Sequence, residues 1–220
     1  KKAVNFGFQA AKLGDIYTLL QLIKEYNIQY ETILIQVDYI YNIPEGHSNI
    51  FEFEMMPFIR DNAITKQYSD QYSEHPIANY YVPFYRYCGN DLKIGFREIF
   101  ANLVHKKTNI IPSKGYGAIY GTSSALKGSL PDVILDKNEI ANRIQSLVKQ
   151  NKMKVVFYCA PFCKYNQNKD FITKLKTKIP VLVDFSQVLK DDTMFLNCNH
   201  VNDTGAKRFT EIITERLLLQ

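Results

Sequence analysis

Two residues near the carboxyl terminus have the types and spacing for acid–base chemistry. They are Asn197 and His200, in the run Asn197-Cys198-Asn199-His200-Val201-Asn202-Asp203-Thr204-Gly205-Ala206. An imidazole is the side chain best matched to proton transfer near neutral pH, and a polar group three residues earlier can hold it in one orientation. His200 is therefore a candidate general base, with Asn197 as its orienting partner. The competing reading is a surface histidine in a loop ahead of a helix. Cys198 is a poor nucleophile for the same imidazole, because a thiol two residues from its own base points awkwardly.

The element that must hold this pair follows directly. Ala206, Phe209, Ile213 and Leu217 recur three or four residues apart, which predicts a helix starting near Asp203 with one apolar face. Asn202, Asp203 or Thr204 can cap it, and Gly205 removes a side chain where the helix start would crowd its neighbours.

Upstream, the spacing predicts a short strand over Ala3–Phe8, interrupted at Gly7. A helix from about Ile16 follows, with Asp15 as its N-cap and Ile16, Leu19, Leu20 and Ile23 as its apolar stripe. Thr32 to Tyr41 is a continuous apolar, β-branched run that reads as a strand covered on both faces, carrying Asp38 near its carboxyl end. Open parallel sheets place their sites at the carboxyl ends of strands, so Asp38 is a candidate site residue, with capping or a structural hydrogen bond as the alternative. From about 44 to 132 prolines and aromatics crowd the chain, notably Tyr80 to Tyr87, and one amphipathic helix is expected over Leu92–His105. Its tyrosines could stack on sugar rings or pack the insertion onto the body. Lys114 to Ser124 reads as a flexible loop whose glycines lack the phosphate-cradling arrangement, which counts against a nucleotide-binding protein.

Regular alternation then resumes, with helices over Asn138–Gln150 and Asp170–Thr177, and strands over Lys154–Cys159 and Val181–Asp184. The order predicts an α/β fold, a three-layer α/β/α sandwich around a parallel sheet, as one domain over 1–220 with a helical insertion at about 44–132.

Composition narrows the partners. The chain has 220 residues, 46% hydrophobic, enough to bury a core, and its net charge of +5 is dispersed. No basic stripe is interleaved with aromatics, so no nucleic-acid partner is expected. No apolar run has the length of a membrane span. Four cysteines (Cys88, Cys159, Cys163, Cys198) are too few for a disulfide scaffold, and Cys159-Ala-Pro-Phe-Cys163 lacks zinc-ligand spacing. Neither a metal site nor a cofactor is expected, and the cysteines leave the redox compartment open.

With the order of elements in place, the chain resembles the SGNH (GDSL-like) hydrolase superfamily, in particular its polysaccharide O-acetyltransferase-like envelope branch. The resemblance rests on Val155-Val156-Phe157-Tyr158-Cys159-Ala160-Pro161, on Val181 to Leu189, and on the closing Asn197 to Thr210. The opening Asn5-Phe6-Gly7 resembles the family's glycine block, and Thr32 to Tyr39 its third block. The resemblance implies a flavodoxin-like topology, with Gly7 and the Asp38 position around the oxyanion. It also implies an acyl (acetyl) ester hydrolase or O-acyltransferase with a carbohydrate or acyl-ester substrate, no cofactor and a cell-envelope or extracytoplasmic location. Membrane anchoring would come through an N-terminal segment missing from this sequence.

Two departures matter. The family's nucleophilic serine belongs to a Gly-Asp-Ser block upstream of the glycine block, and is expected ahead of Lys1. Gly14-Asp15-Ile16 is not that block, and Gly46-His47-Ser48-Asn49 resembles it in composition but follows the wrong strand. In addition, Asn197 stands where the family has aspartate, so the pair brings no negative charge. Asp184, Asp191 and Asp192 are close enough in sequence to substitute for it. The alternative function is a non-catalytic carbohydrate-binding or envelope assembly protein on a degenerate fold of the same kind.

Overall fold

The computed structural model describes residues 2–88, 100, 103–104, 113–123 and 125–219. They divide into two compact units, one of residues 1–29 and 45–116, the other of residues 30–44 and 117–220.

The first unit is helical. Its opening stretch, expected as a strand, has no regular structure over residues 2–8. The cause is local: Asn5 Oδ1 accepts the Gly7 N–H at 2.8 Å, giving the backbone a partner other than a ladder. Asn5 is otherwise tied to the Lys114–Gly115 turn, through its own N–H to the Lys114 carbonyl (2.9 Å) and its Nδ2 to the Gly115 carbonyl (3.1 Å). Gly115 has a φ of +84°, and a Cβ there would strike the Asn5 carbonyl oxygen, so both its dihedral and its space demand glycine.

Helix α1 spans Leu13–Glu25, three residues earlier than the spacing predicts. Asp15 is not its N-cap but sits inside the first turn and reaches back to the Lys12 N–H (2.8 Å). The same fully buried carboxyl accepts the Ser48 N–H (3.0 Å) and the Tyr68 hydroxyl (2.8 Å). Three donors from separate segments therefore converge on one side chain. Gly14 lets the chain approach this closely, because a Cβ there would run into the Gly46 carbonyl.

Among the described residues, helices α2 (Asn49–Met55), α3 (Ala63–Tyr72) and α4 (Pro76–Tyr81) follow, with a 3₁₀ turn over Met56–Phe58 and one further helical turn over Tyr85–Cys88. Ser48 is the N-cap of α2, its Oγ accepting the Phe51 N–H at 3.1 Å, and His47 stacks on Tyr72 at 4.7 Å. The serine–histidine composition around Gly46 is thus accounted for by a cap and a ring stack. Phe51, Met55 and Tyr68 form one buried cluster, with Phe8, Leu19, Leu22 and Tyr72 packed against it, and Leu13, Leu20, Met56 and Ile59 are buried as well. Of the tyrosine-rich run, Tyr80 lies under Lys66 and beside Arg60, which donates to its carbonyl, while Tyr81 is 67% and Phe84 78% exposed. The helix expected over 92–105 falls almost wholly outside the described residues.

The second unit is mixed α/β. Its elements are β1 (Ile33–Gln36), β2 (Gly128–Ser129), α5 (Glu139–Gln150), β3 (Val155–Cys159), β4 (Asn166–Gln167), α6 (Asp170–Lys178), β5 (Val183–Asp184), β6 (Phe195–Asn197), β7 (His200–Val201) and α7 (Asp203–Ile213). A three-stranded parallel sheet has the order β1-β3-β5, with Ile33 opposite Val155 and Tyr158 opposite Val183. Parallel strands need crossovers, which α5 and α6 supply in sequence. Asn138 caps α5 through the Ile140 and Ala141 N–H groups. Leu34, Tyr158 and Val183 pack against a core of Phe185, Phe195, Phe209, Ile212 and Ile213, so α7 covers one face of the sheet. Ile35, Val37, Phe157 and Cys159 alternate to the opposite face and are buried.

Strand β1 is shorter than the apolar run predicts. Asp38 Oδ1 accepts the Ile40 N–H (3.1 Å) and opens a 3₁₀ turn over Tyr39–Asn42, ending the strand at Gln36. Among the described residues no helix is long and apolar enough to cross a membrane.

Asp15 gives a pH signature. Burial pushes its carboxyl up to about 6, against the hydrogen bonds that favour the charged form. Folding therefore favours the neutral acid: that contribution is complete below the ordinary aspartate value, near 4, and is lost as pH rises through about 6. Urea titrations should show this group costing about 3 kcal/mol of stability between pH 4 and 7, a slope that Asp15→Asn flattens. An unchanged slope in the variant would assign the pH dependence to other groups.

Candidate active site

Strands β6 and β7 form an antiparallel hairpin in which Asn197 is paired with His200 across a two-residue tip, Cys198-Asn199. Directly opposed residues in such a pair bring their side chains together, so the hairpin itself creates the contact. Asn197 Oδ1 lies 2.9 Å from His200 Nδ1 and also accepts the Asn199 N–H at 3.0 Å. The second bond settles the first. A backbone N–H can only donate, so the amide atom facing it is the oxygen, and His200 must then carry its proton on Nδ1. In the neutral ring Nε2 is then left with the lone pair, on an exposed side chain, the form a general base requires.

Helix α7 fixes the hairpin from behind. Asn202 caps it, with Oδ1 accepting the Gly205 N–H (3.0 Å). Its Nδ2 donates to the carbonyls of Thr193 (2.7 Å) and Gly121 (3.0 Å), so this buried amide joins the helix, the turn before β6 and the 117–123 segment. Gly205 sits against the backbone of Met194, where a Cβ would collide with the carbonyl oxygen. The crowding expected at this glycine is thus real, and its partner is main chain. The stretch expected as a flexible loop is bound here: Ile119 accepts the Asp203 N–H (2.7 Å), and the Ser123 N–H donates to the Leu196 carbonyl (2.8 Å). Ser124 lies outside the described residues.

The carboxyl edge of the parallel sheet carries Asp38 after β1, Cys159 at the end of β3 and Asp184 at the end of β5. Asp38 is buried, and both its oxygens accept: Oδ2 from Gln36 Nε2 at 2.8 Å and Oδ1 from Ile40 N–H. Burial raises its pKa above the ordinary carboxylate range, while those two bonds and the nearby His200 imidazole draw it down. Asp38 and His200 thus lie within electrostatic reach. Burial, with Asp38 adding to it, also pushes the Tyr158 hydroxyl up to about 12 and raises the Cys159 thiol. The thiol is consequently a packed, inert group.

None of the three other aspartates is hydrogen-bonded to His200. Asp184 accepts the Ser186 N–H (2.8 Å), Asp191 holds Thr193 through its N–H (2.9 Å) and hydroxyl, and Asp192 pairs with Lys164 (2.7 Å). Gly7 belongs to the other unit, and its N–H is already donated to Asn5. Among the described residues no group of three side chains could hold a metal ion.

Sequence reasoning missed the bond between Cys163 and Cys198, which ties the hairpin tip to the segment after β3 across 35 residues. A cysteine inside the Asn197–His200 run, in a chain with three others, was the available signal. It also missed Asn166, whose Nδ2 donates to Asn199 Oδ1 at 2.9 Å. Comparison with protein-family models, with curated proteins and with solved structures returned no match.

The helix start is a sharp test of this architecture. Gly205→Ala should destabilise by about 1–3 kcal/mol through overpacking on Met194. Asn202→Ala should cost about 2–3 kcal/mol, through the lost cap and two abandoned carbonyls. A fall in the urea midpoint at constant slope measures both; unmoved midpoints would mean that α7 is not locked to the hairpin in this way.

Proposed function

We propose that the chain is an SGNH-type acyl (acetyl) ester hydrolase or O-acyltransferase acting on carbohydrate, with His200 as general base and Asn197 as its orienting partner. The observation that carries this reading is the doubly accepting Asn197 oxygen, which holds His200 in the Nδ1–H tautomer with Nε2 bare. In this mechanism Nε2 removes the proton from a seryl hydroxyl, which the resemblance places in a block upstream of Asn5. The hydroxyl oxygen attacks the ester carbonyl, and the imidazolium then returns its proton to the departing alcohol. Water or a sugar hydroxyl completes the second half by the same route, giving hydrolysis or transfer. The three-layer α/β/α sandwich of the flavodoxin-like SGNH type is part of the same reading.

Two assignments change from the expectation. Asp38 has both oxygens occupied as acceptors, so we assign it no donor role towards an oxyanion. Burial, the largest influence on its carboxyl, also favours the neutral acid, so we assign it no charge role towards the imidazole either. No weight is placed on Gly7, whose N–H is engaged with Asn5.

The cell envelope or another extracytoplasmic compartment remains the proposed location. The Cys163–Cys198 disulfide supports it, since such bonds persist in oxidising surroundings. The specific feature favouring the second reading, a carbohydrate-binding or assembly protein, is the neutral amide at 197. An amide in the aspartate position of the serine protease triad costs roughly ten-thousand-fold in turnover.

Acetyl-ester turnover by the full-length protein should fall about 10²–10⁴-fold in His200→Ala. Asn197→Asp keeps both accepted hydrogen bonds and restores the charge, and should raise turnover by at least tenfold. Equal rates in parent and His200→Ala would reject the enzymatic reading in favour of the binding protein.

A further inference from the structure

We propose that the four-residue segment 163–166 is the positioning element of the His200 tautomer, gripping the hairpin tip at both of its residues. Its functional meaning rests on His200 being the base, but its geometry does not. A hairpin with strands as short as β6 and β7 has little intrinsic stability, so something else must fix its tip. Cys198 is held twice: by the disulfide to Cys163, with a Cα separation of 4.6 Å, and by its carbonyl, which accepts the Cys163 N–H at 3.0 Å. Asn199 is held by Asn166 through the 2.9 Å side-chain bond. The segment is itself a closed turn, the Asn166 N–H donating to the Cys163 carbonyl at 3.2 Å. Cys163, Cys198 and Asn166 are no more than 4% exposed, Asn199 is half-buried, and Lys164 and Tyr165 between the anchors are exposed.

Two further observations separate positioning from ordinary packing. Asn166 Oδ1 is buried and has no hydrogen-bond partner among the described residues. An amide kept in that state is a net burden on the fold on one side, and among the described residues its side-chain bond goes to Asn199. Behind it, β2 pairs with β4 so that Gly128 faces Asn166, and a Cβ at Gly128 would come within 2.7 Å of the Cys198 Cβ. The tip is thus pressed from behind by main chain and gripped from the side by 163–166.

The chain of consequence is short. Asn199 must present its N–H to Asn197 Oδ1, because that bond turns the amide oxygen towards His200. If Asn199 is released, the Asn197 amide is free to rotate, and the exposed imidazole relaxes to the Nε2–H form that water favours. That form carries no lone pair at the outward nitrogen.

Histidine-selective ¹⁵N NMR on the full chain tests this without any assay of activity. The oxidised parent should show His200 as the Nδ1–H tautomer. Asn166→Ala, and separately reduction with excess dithiothreitol, should each raise the Nε2–H population several-fold. In the reduction the S–S bond becomes two thiols and the reagent closes to its cyclic disulfide. Asn166→Ala removes the unpartnered oxygen and should leave the thermal midpoint nearly unchanged, which keeps the test valid if the reduced protein unfolds. His47, in the other unit, should keep its signals in every sample. A His200 that stays Nδ1–H in Asn166→Ala and after reduction would overturn the proposal, whatever the turnover shows. A tautomer shift in a protein with no ester turnover would uphold it while removing the enzymatic reading.

Discussion

A single oxygen organises the candidate site. Asn197 Oδ1 receives one hydrogen from the main chain and one from the imidazole, and the first fixes the identity of the second. The orientation of this amide is decided firmly, because a backbone donor admits only one assignment. What surrounds the hairpin can be understood as protection of this arrangement. Asn202 binds the helix start to the strands, Gly205 allows the helix to touch the Met194 main chain, and residues 119–123 hydrogen-bond along the open side. The last two contacts are made through backbone atoms, which cannot adopt alternative rotamers.

Charge is arranged differently from geometry. Asp184, Asp191 and Asp192, upstream of the hairpin, are engaged locally by Ser186, Thr193 and Lys164, and the imidazole is oriented by a neutral group. The buried Asp38 carboxyl, beyond the end of β1, lies within electrostatic reach of the imidazole, and its hydrogen bonds go to Gln36 and Ile40. The buried carboxyl of the helical unit, Asp15, makes a useful contrast. Donors from three segments converge on it, so its role is to join α1, the 46–48 loop and α3. Both groups have raised pKa values from burial, and hydrogen-bond partners, not titration behaviour, distinguish a structural acid from one beside a candidate base.

Helical periodicity was the most readable part of the sequence. The spacing of Phe209 and Ile213 located α7, and Asn138 and Asn202 were readable as helix starts. The parallel pairing of β1, β3 and β5 agrees with the alternation of strands and helices. Boundaries were less legible wherever a side chain competes for the backbone. Asp38 ends β1 early, Asn5 keeps residues 2–8 out of any strand, and Asp15 moves inside α1 because Ser48 and Tyr68 recruit it. The first two turn on a side chain capturing a backbone N–H two residues on, which apolar spacing does not register, and the third depends on residues 33 and 53 positions away. The pairing of Asn197 with His200 was legible because it is short-range, whereas Asn166 and Cys163 were not, lying 33 and 35 residues from their partners.

The Cys163–Cys198 bond has a mechanical side as well. It encloses α6, β5 and the approach to the hairpin within one covalent ring. Tension applied at the two ends of the chain would pass through the sulfur bridge and bypass everything in that ring. A backbone cut between Lys164 and Asn197 would likewise leave the two pieces joined. The last helix and its histidine would therefore remain tethered to the central strand under pulling or nicking that would separate them in an unbridged chain.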